Sequence, residues 1–108
     1  MDVLAFNVLN LAKTPDLTRR IIRSLKASVP PEANKILALS CVDVVPLMHK
    51  LTLEITVPTY SDAEIITQNY LSDFMAVARK FREIDLIYFF VGLSEDDRVC
   101  CGRYRTKK

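Results

Sequence analysis

The run IDLIYFFVGL, residues 84–93, sets the first limit on how this chain can fold. At strand spacing it is apolar on both faces and rich in branched and aromatic side chains. Left at a sheet edge, such a strand would recruit other chains, so it belongs inside a sheet with a neighbour on either side. One neighbour is legible in LTLEITV, where Leu51, Leu53, Ile55 and Val57 alternate with Thr52, Glu54 and Thr56. That alternation describes a strand with one dry face and one wet face, as in antiparallel sheets.

Between the two lies YSDAEIITQNYLSDFMAVARKFRE, which reads as one long helix. Ser61 and Glu64 have the spacing of a capping box, and Tyr60 and Ile65 that of a hydrophobic staple. Ile66, Tyr70, Phe74, Val77 and Phe81 recur at four- and three-residue steps to form an apolar stripe, which Leu71, Met75 and Ala78 widen. Acids at Asp62 and Glu64 and cations at Arg79, Lys80 and Arg82 match the two ends of the helix dipole. After the interior strand, SEDD reads as a hairpin turn into a last strand, RVCCGRYR.

The first half is more open. Thr14 and Pro15 mark a helix start, with Leu17, Ile21 and Leu25 on one face. Residues 31–48 fit either a helix or a strand, and so do residues 2–12. With both as strands the element order is βαββαββ, a ferredoxin-like two-layer sandwich; with both as helices, a helical half precedes a βαββ unit. The expected class is α+β in either case, with an antiparallel sheet carrying helices on one face, and the ferredoxin-like order is the preferred one.

At 108 residues the chain fits one domain, with residues 102–108 expected as a frayed basic end. No apolar run approaches the ~20 residues of a membrane span, and the first residues make a poor secretory signal. Three cysteines without paired spacing suit a reducing compartment, so a cytoplasmic location without membrane contact is expected. The balance of 15 basic and 13 acidic residues, net +2, points to no partner by itself.

Motifs of known chemistry are absent from the sequence. Two glycines leave no material for a phosphate-cradling loop, and neither zinc-ligand nor nucleophile-elbow spacing occurs. Cys100 and Cys101, adjacent in a strand, point to opposite faces and cannot easily share a metal ion. Cys41 and the single histidine, His49, add no local ligand pair. The expectation is therefore a protein without catalytic residues, cofactor or metal.

Two binding roles remain. The first is a protein–protein interaction module, a homodimer or a small subunit of a larger assembly, using apolar surface at Ile65, Leu71 and Met75. The alternative is a nucleic-acid-binding accessory protein. Its contacts would be the basic helix face of Arg19, Arg23 and Lys26 and the end of the chain at Arg103, Tyr104 and Arg105.

Overall fold

Two turns of two residues and two helical crossovers organise the chain. The computed structural model describes residues 7–9 and 15–106. In order these form β1 (Asn7–Leu9), α1 (Pro15–Ala27), α2 (Pro31–Ala38), β2 (Cys41–Leu47), β3 (Lys50–Thr56), α3 (Tyr60–Asn69), α4 (Leu71–Ala78), β4 (Leu86–Ser94) and β5 (Asp97–Arg105). The class is α+β, and the βαββαββ order holds with each helical stretch divided in two. The five strands lie side by side in chain order.

The sheet is mixed, where an antiparallel one was expected. β2–β3 and β4–β5 are antiparallel hairpins, but β1–β2 and β3–β4 are parallel. The reason is connectivity: a short turn must reverse the chain, whereas a pair of helices returns it to start a neighbouring strand in the same direction.

The ambiguous residues 31–48 prove to be both helix and strand. Pro31 opens α2, whose carbonyls are closed off at the far end by the Leu39 N–H and by the Ser40 hydroxyl, which donates to Ile36 O at 2.6 Å. The chain then extends directly into β2. Of residues 2–12, Asn7–Leu9 is strand; the rest, and the expected cap at Thr14, lie outside the described residues.

The expected long helix is broken at Tyr70, whose φ of −126° leaves the helical range. Its ring is 1% exposed, and its hydroxyl faces the Leu25 carbonyl at 3.5 Å. The helix also begins two residues earlier than the capping box requires. Thr59 is extended and its Oγ1 accepts from Asp62 N at 3.1 Å, so Thr59 and not Ser61 is the cap. Tyr60 stands in solvent and donates its hydroxyl to Asp97 rather than stapling Ile65.

One face of the sheet meets all four helices. Val42 and Val44 from β2, Leu51, Leu53 and Ile55 from β3, and Ile87 and Val91 from β4 are buried against Ile21, Leu25, Leu37, Ile66 and Phe74. Burying each such side chain contributes roughly 1.5–3 kcal/mol. Residues 102–105, expected to fray, complete β5 against β4, with Arg105 opposite Leu86. Thr106 secures that end, its N–H donating to Asp85 O and its hydroxyl to Ile84 O. No helix among the described residues is long and apolar enough to cross a membrane.

Candidate nucleic-acid interface

The strand period of two gives the sheet a second face with a different composition. Opposite the core-facing residues, β3 presents Lys50, Thr52, Glu54 and Thr56, and β4 presents Leu86, Tyr88 and Phe90. β5 adds Arg105 opposite Leu86, Arg103 opposite Tyr88, and Cys101 opposite Phe90. Tyr88 and Phe90 are half-buried, and Lys50, Arg103 and Arg105 are exposed. No helix of the described residues packs on this open face, since the buried helix side chains all join the core on the other side.

Tyr88 occupies the middle of the face. Its cross-strand neighbours are Thr52 on the parallel strand β3 and Arg103 on the antiparallel strand β5, the latter with Cβ atoms ~5 Å away in such pairs. A small hydroxyl residue on one side leaves the ring open, and a guanidinium on the other places positive charge at its margin.

Two residues further along β4, the face is built differently. β5 carries an extra residue between the pairs Val91–Cys100 and Gly92–Arg98. This bulge bends β5 across β4 at Gly92, where a Cβ would sit 2.3 Å from Asp97 O and 2.6 Å from Arg98 Cα. Arg98 is thereby turned onto the Phe90 ring, its Cζ 3.9 Å from the ring centre. From β3, Glu54 Oε2 accepts from Arg98 Nη2 at 3.1 Å.

At the other end the face deepens into a depression of about 350 Å³ lined by Met48, His49, Lys50, Asp85, Leu86 and Arg105. Met48 lies at the tip of the β2–β3 turn with φ of 59° and its side chain 84% exposed. That left-handed conformation is uncommon outside glycine and asparagine. Across β3 to β5, the open face therefore carries Lys50, Arg98, Arg103 and Arg105 with Glu54 among them, while Asp43 lies opposite Glu54 on β2 and Asp85 lines the depression.

The sequence-derived candidates scatter over the molecule. Arg103 and Arg105 are on the open face, but Tyr104 points the other way and packs on the core. Arg19 and Arg23 are exposed on α1, in the helical layer behind the sheet, and Lys26 is half-buried there. The two basic clusters thus do not form one surface. The neighbouring Arg20 pairs with Glu83 at 2.6 Å and lies 5.8 Å from the Phe81 ring centre.

Of the apolar candidates, Leu71 is 7% exposed and belongs to the core. Met75 is half-buried against that core, and Ile65 is half-buried on α3. The large apolar side chains that do stand in solvent among the described residues are Leu39, Met48, Tyr60 and Val99, which come from separate elements.

Cys100 is half-buried against the core and Cys101 is exposed on the opposite face. Cys41 faces Thr56 at the end of the β2–β3 hairpin away from His49. No group of three or more His, Cys, Asp or Glu side chains converges as metal ligands among the described residues. Two phenols are held protonated beyond their ordinary range: Tyr60 by its hydrogen bond to Asp97, and Tyr70 by burial. Both lie outside the open face.

The residues that define this face and escape sequence reasoning are Lys50, Tyr88, Phe90 and Arg98. A signal existed in β5, where Arg103 and Arg105 flank Tyr104 at strand spacing and so share a face. Fold and face together define a two-layer α+β domain with an open, basic, aromatic-bearing mixed sheet. No family model, curated protein or solved structure matches the chain.

Proposed function

We propose that the protein is a nucleic-acid-binding accessory protein that holds a single strand across the open face of β3, β4 and β5. The observation that carries this reading is the Tyr88 ring in the middle of a sheet face that no described helix covers, with Arg103 beside it and Lys50 and Arg105 at the margin. A base has a π-face to lay on the tyrosine, and the phosphates have cations to follow. A duplex offers phosphates but no free base face, because its bases are already stacked on one another.

The expected behaviour is strongly electrolytic. Three phosphate contacts, from Lys50, Arg103 and Arg105, lower the affinity for a single strand about 20-fold between roughly 50 and 200 mM salt. Fluorescence anisotropy of a short labelled oligonucleotide measures this directly, with Tyr88→Ala and a duplex of the same sequence as comparisons. Salt-sensitive binding that falls at least tenfold in Tyr88→Ala and is weaker for the duplex supports the proposal. Absence of binding at low salt overturns it. A mass of two or more chains by light scattering in that sample would assign the molecule to protein association instead.

A further inference from the structure

Tyr88 offers room for one base, but a strand crossing this face passes a second position. We propose that Arg98, held over the Phe90 ring, is a second stacking platform, on which the next base of the bound strand rests. This rests on the reading of the open face as a single-strand site and assigns a further residue to it.

Three features fix the platform before any ligand arrives. The bulge opposite Gly92 brings the Arg98 backbone over β4, and no side chain at position 92 could be accommodated there. A separation of 3.9 Å sets the guanidinium against the face of the Phe90 ring. Glu54, from the strand on the other side, takes one N–H at 3.1 Å and stops the group from swinging away. A guanidinium is planar and weakly hydrated, so it stacks on a ring on one side and on a base on the other. The Arg98 side chain remains 36% exposed, so it is not closed off from a ligand.

Spacing supports the assignment. Phe90 and Tyr88 are two residues apart on one strand, hence about 6.6 Å, so the two platforms follow one another along β4. The Arg20–Phe81 pair in the helical layer shows what an unbuilt contact looks like, with 5.8 Å to the ring centre and an ion pair about half exposed.

The platform has an electrostatic signature. Because Glu54 already neutralises Arg98, this arginine contributes stacking and little net charge, in contrast to Arg103 and Arg105. Arg98→Lys keeps the charge and loses the plane. It should weaken binding of a base-bearing oligonucleotide about tenfold, which is within the cost of losing one stacked base. It should leave unchanged both the slope of affinity against salt and the affinity for an abasic phosphodiester chain of equal length. Phe90→Leu, which removes the ring beneath, should have the same effect.

The platform falls if Arg98→Lys binds the base-bearing strand as the unaltered protein does. It also falls if binding of the abasic chain weakens equally, which would make Arg98 a phosphate ligand. Tyr88→Ala separates the two levels: weaker binding in Tyr88→Ala but not in Arg98→Lys keeps the open-face site and removes only the platform. If the unaltered protein binds no strand, both are overturned.

Discussion

The two faces of strand β4 are both apolar, yet they do different work. Ile87 and Val91 on the closed face are 0% exposed and carry the core, whereas Tyr88 and Phe90 on the open face are half-buried rings with cations around them. On β3 the same division is plain in composition, with Leu51, Leu53 and Ile55 on one side and Thr52, Glu54 and Thr56 on the other. The comparison shows that an apolar residue facing away from a core is informative when its neighbours are charged. A ring used for folding is surrounded by aliphatic groups; a ring offered to a ligand is surrounded by groups that attract one.

Removing a ring from each side gives the largest contrast. Phe74 is fully buried under the helical layer, so Phe74→Ala should cost about 3–5 kcal/mol of stability, read as a lower urea midpoint. Tyr88→Ala should leave stability within about 1 kcal/mol of the starting value while abolishing most oligonucleotide binding. If Tyr88→Ala were as destabilising as Phe74→Ala, the open face would be structural and the comparison would fail.

Adjacent residues on β5 sharpen the same point at lower energy. Gly102 faces the core opposite Phe89, and a Cβ there would come within 2.7 Å of that ring. Gly102→Ala should therefore destabilise by about 1–3 kcal/mol, since the ring must leave its packed position. Cys101, one residue away, is exposed on the other face, so Cys101→Ala should be nearly neutral. Thermal or urea unfolding of the two variants measures the difference directly.

Much of the closed face was legible in the sequence, and little of the open face was. The alternation in residues 51–57 and the heptad-like stripe beginning at Ile66 each announce a buried side, because burial selects residue type at the period of the element. Three boundaries escaped for physical reasons. Thr59 caps in place of Ser61, since either hydroxyl suits a cap and only backbone geometry chooses. The kink at Tyr70 has no proline or glycine to mark it. The passage from α2 to β2 at Leu39–Ser40 likewise lacks a turn residue that forces it. The open face escaped because it is assembled across strands. Tyr88, Arg103 and Thr52 meet only through register, and Arg98 reaches Phe90 only through a bulge. A two-sided apolar strand read alone assigns both of its faces to the interior.

The two basic clusters provide a further test that does not involve folding energy. Arg19 and Arg23 lie behind the sheet, and Arg103 and Arg105 lie on its open face. Reversing Arg103 and Arg105 to Glu should lower the slope of log affinity against log salt by about 1.4, at roughly 0.7 for each phosphate no longer neutralised. Reversing Arg19 and Arg23 should change the slope far less, through long-range field alone, which salt screens within about 10 Å at 0.1 M. Equal effects from the two pairs would mean that the ligand wraps both layers. An effect confined to Arg19 and Arg23 would move the site to α1.

The smallest effect separates two tyrosines by what surrounds their hydroxyls. Tyr70 is buried in the closed layer, and burial raises its pKa above the ordinary 10.0. The folded chain therefore keeps this proton at pH values where the unfolded chain releases it. The stability linked to Tyr70 is complete below about pH 10 and is lost as pH rises further. Tyr70→Phe should flatten that alkaline decline by up to about 1.4 kcal/mol per pH unit. At neutral pH it should cost at most about 1 kcal/mol, because the hydroxyl lies 3.5 Å from the Leu25 carbonyl, at the far limit of a hydrogen bond. Urea midpoints followed from pH 7 into the alkaline range read out both effects. An unchanged alkaline slope would show that the Tyr70 hydroxyl reaches solvent, and the helical layer would then be less tightly closed than its packing implies. On the open face Tyr88→Phe keeps the ring and should keep oligonucleotide binding, because there the π-surface is the working part and the hydroxyl is not.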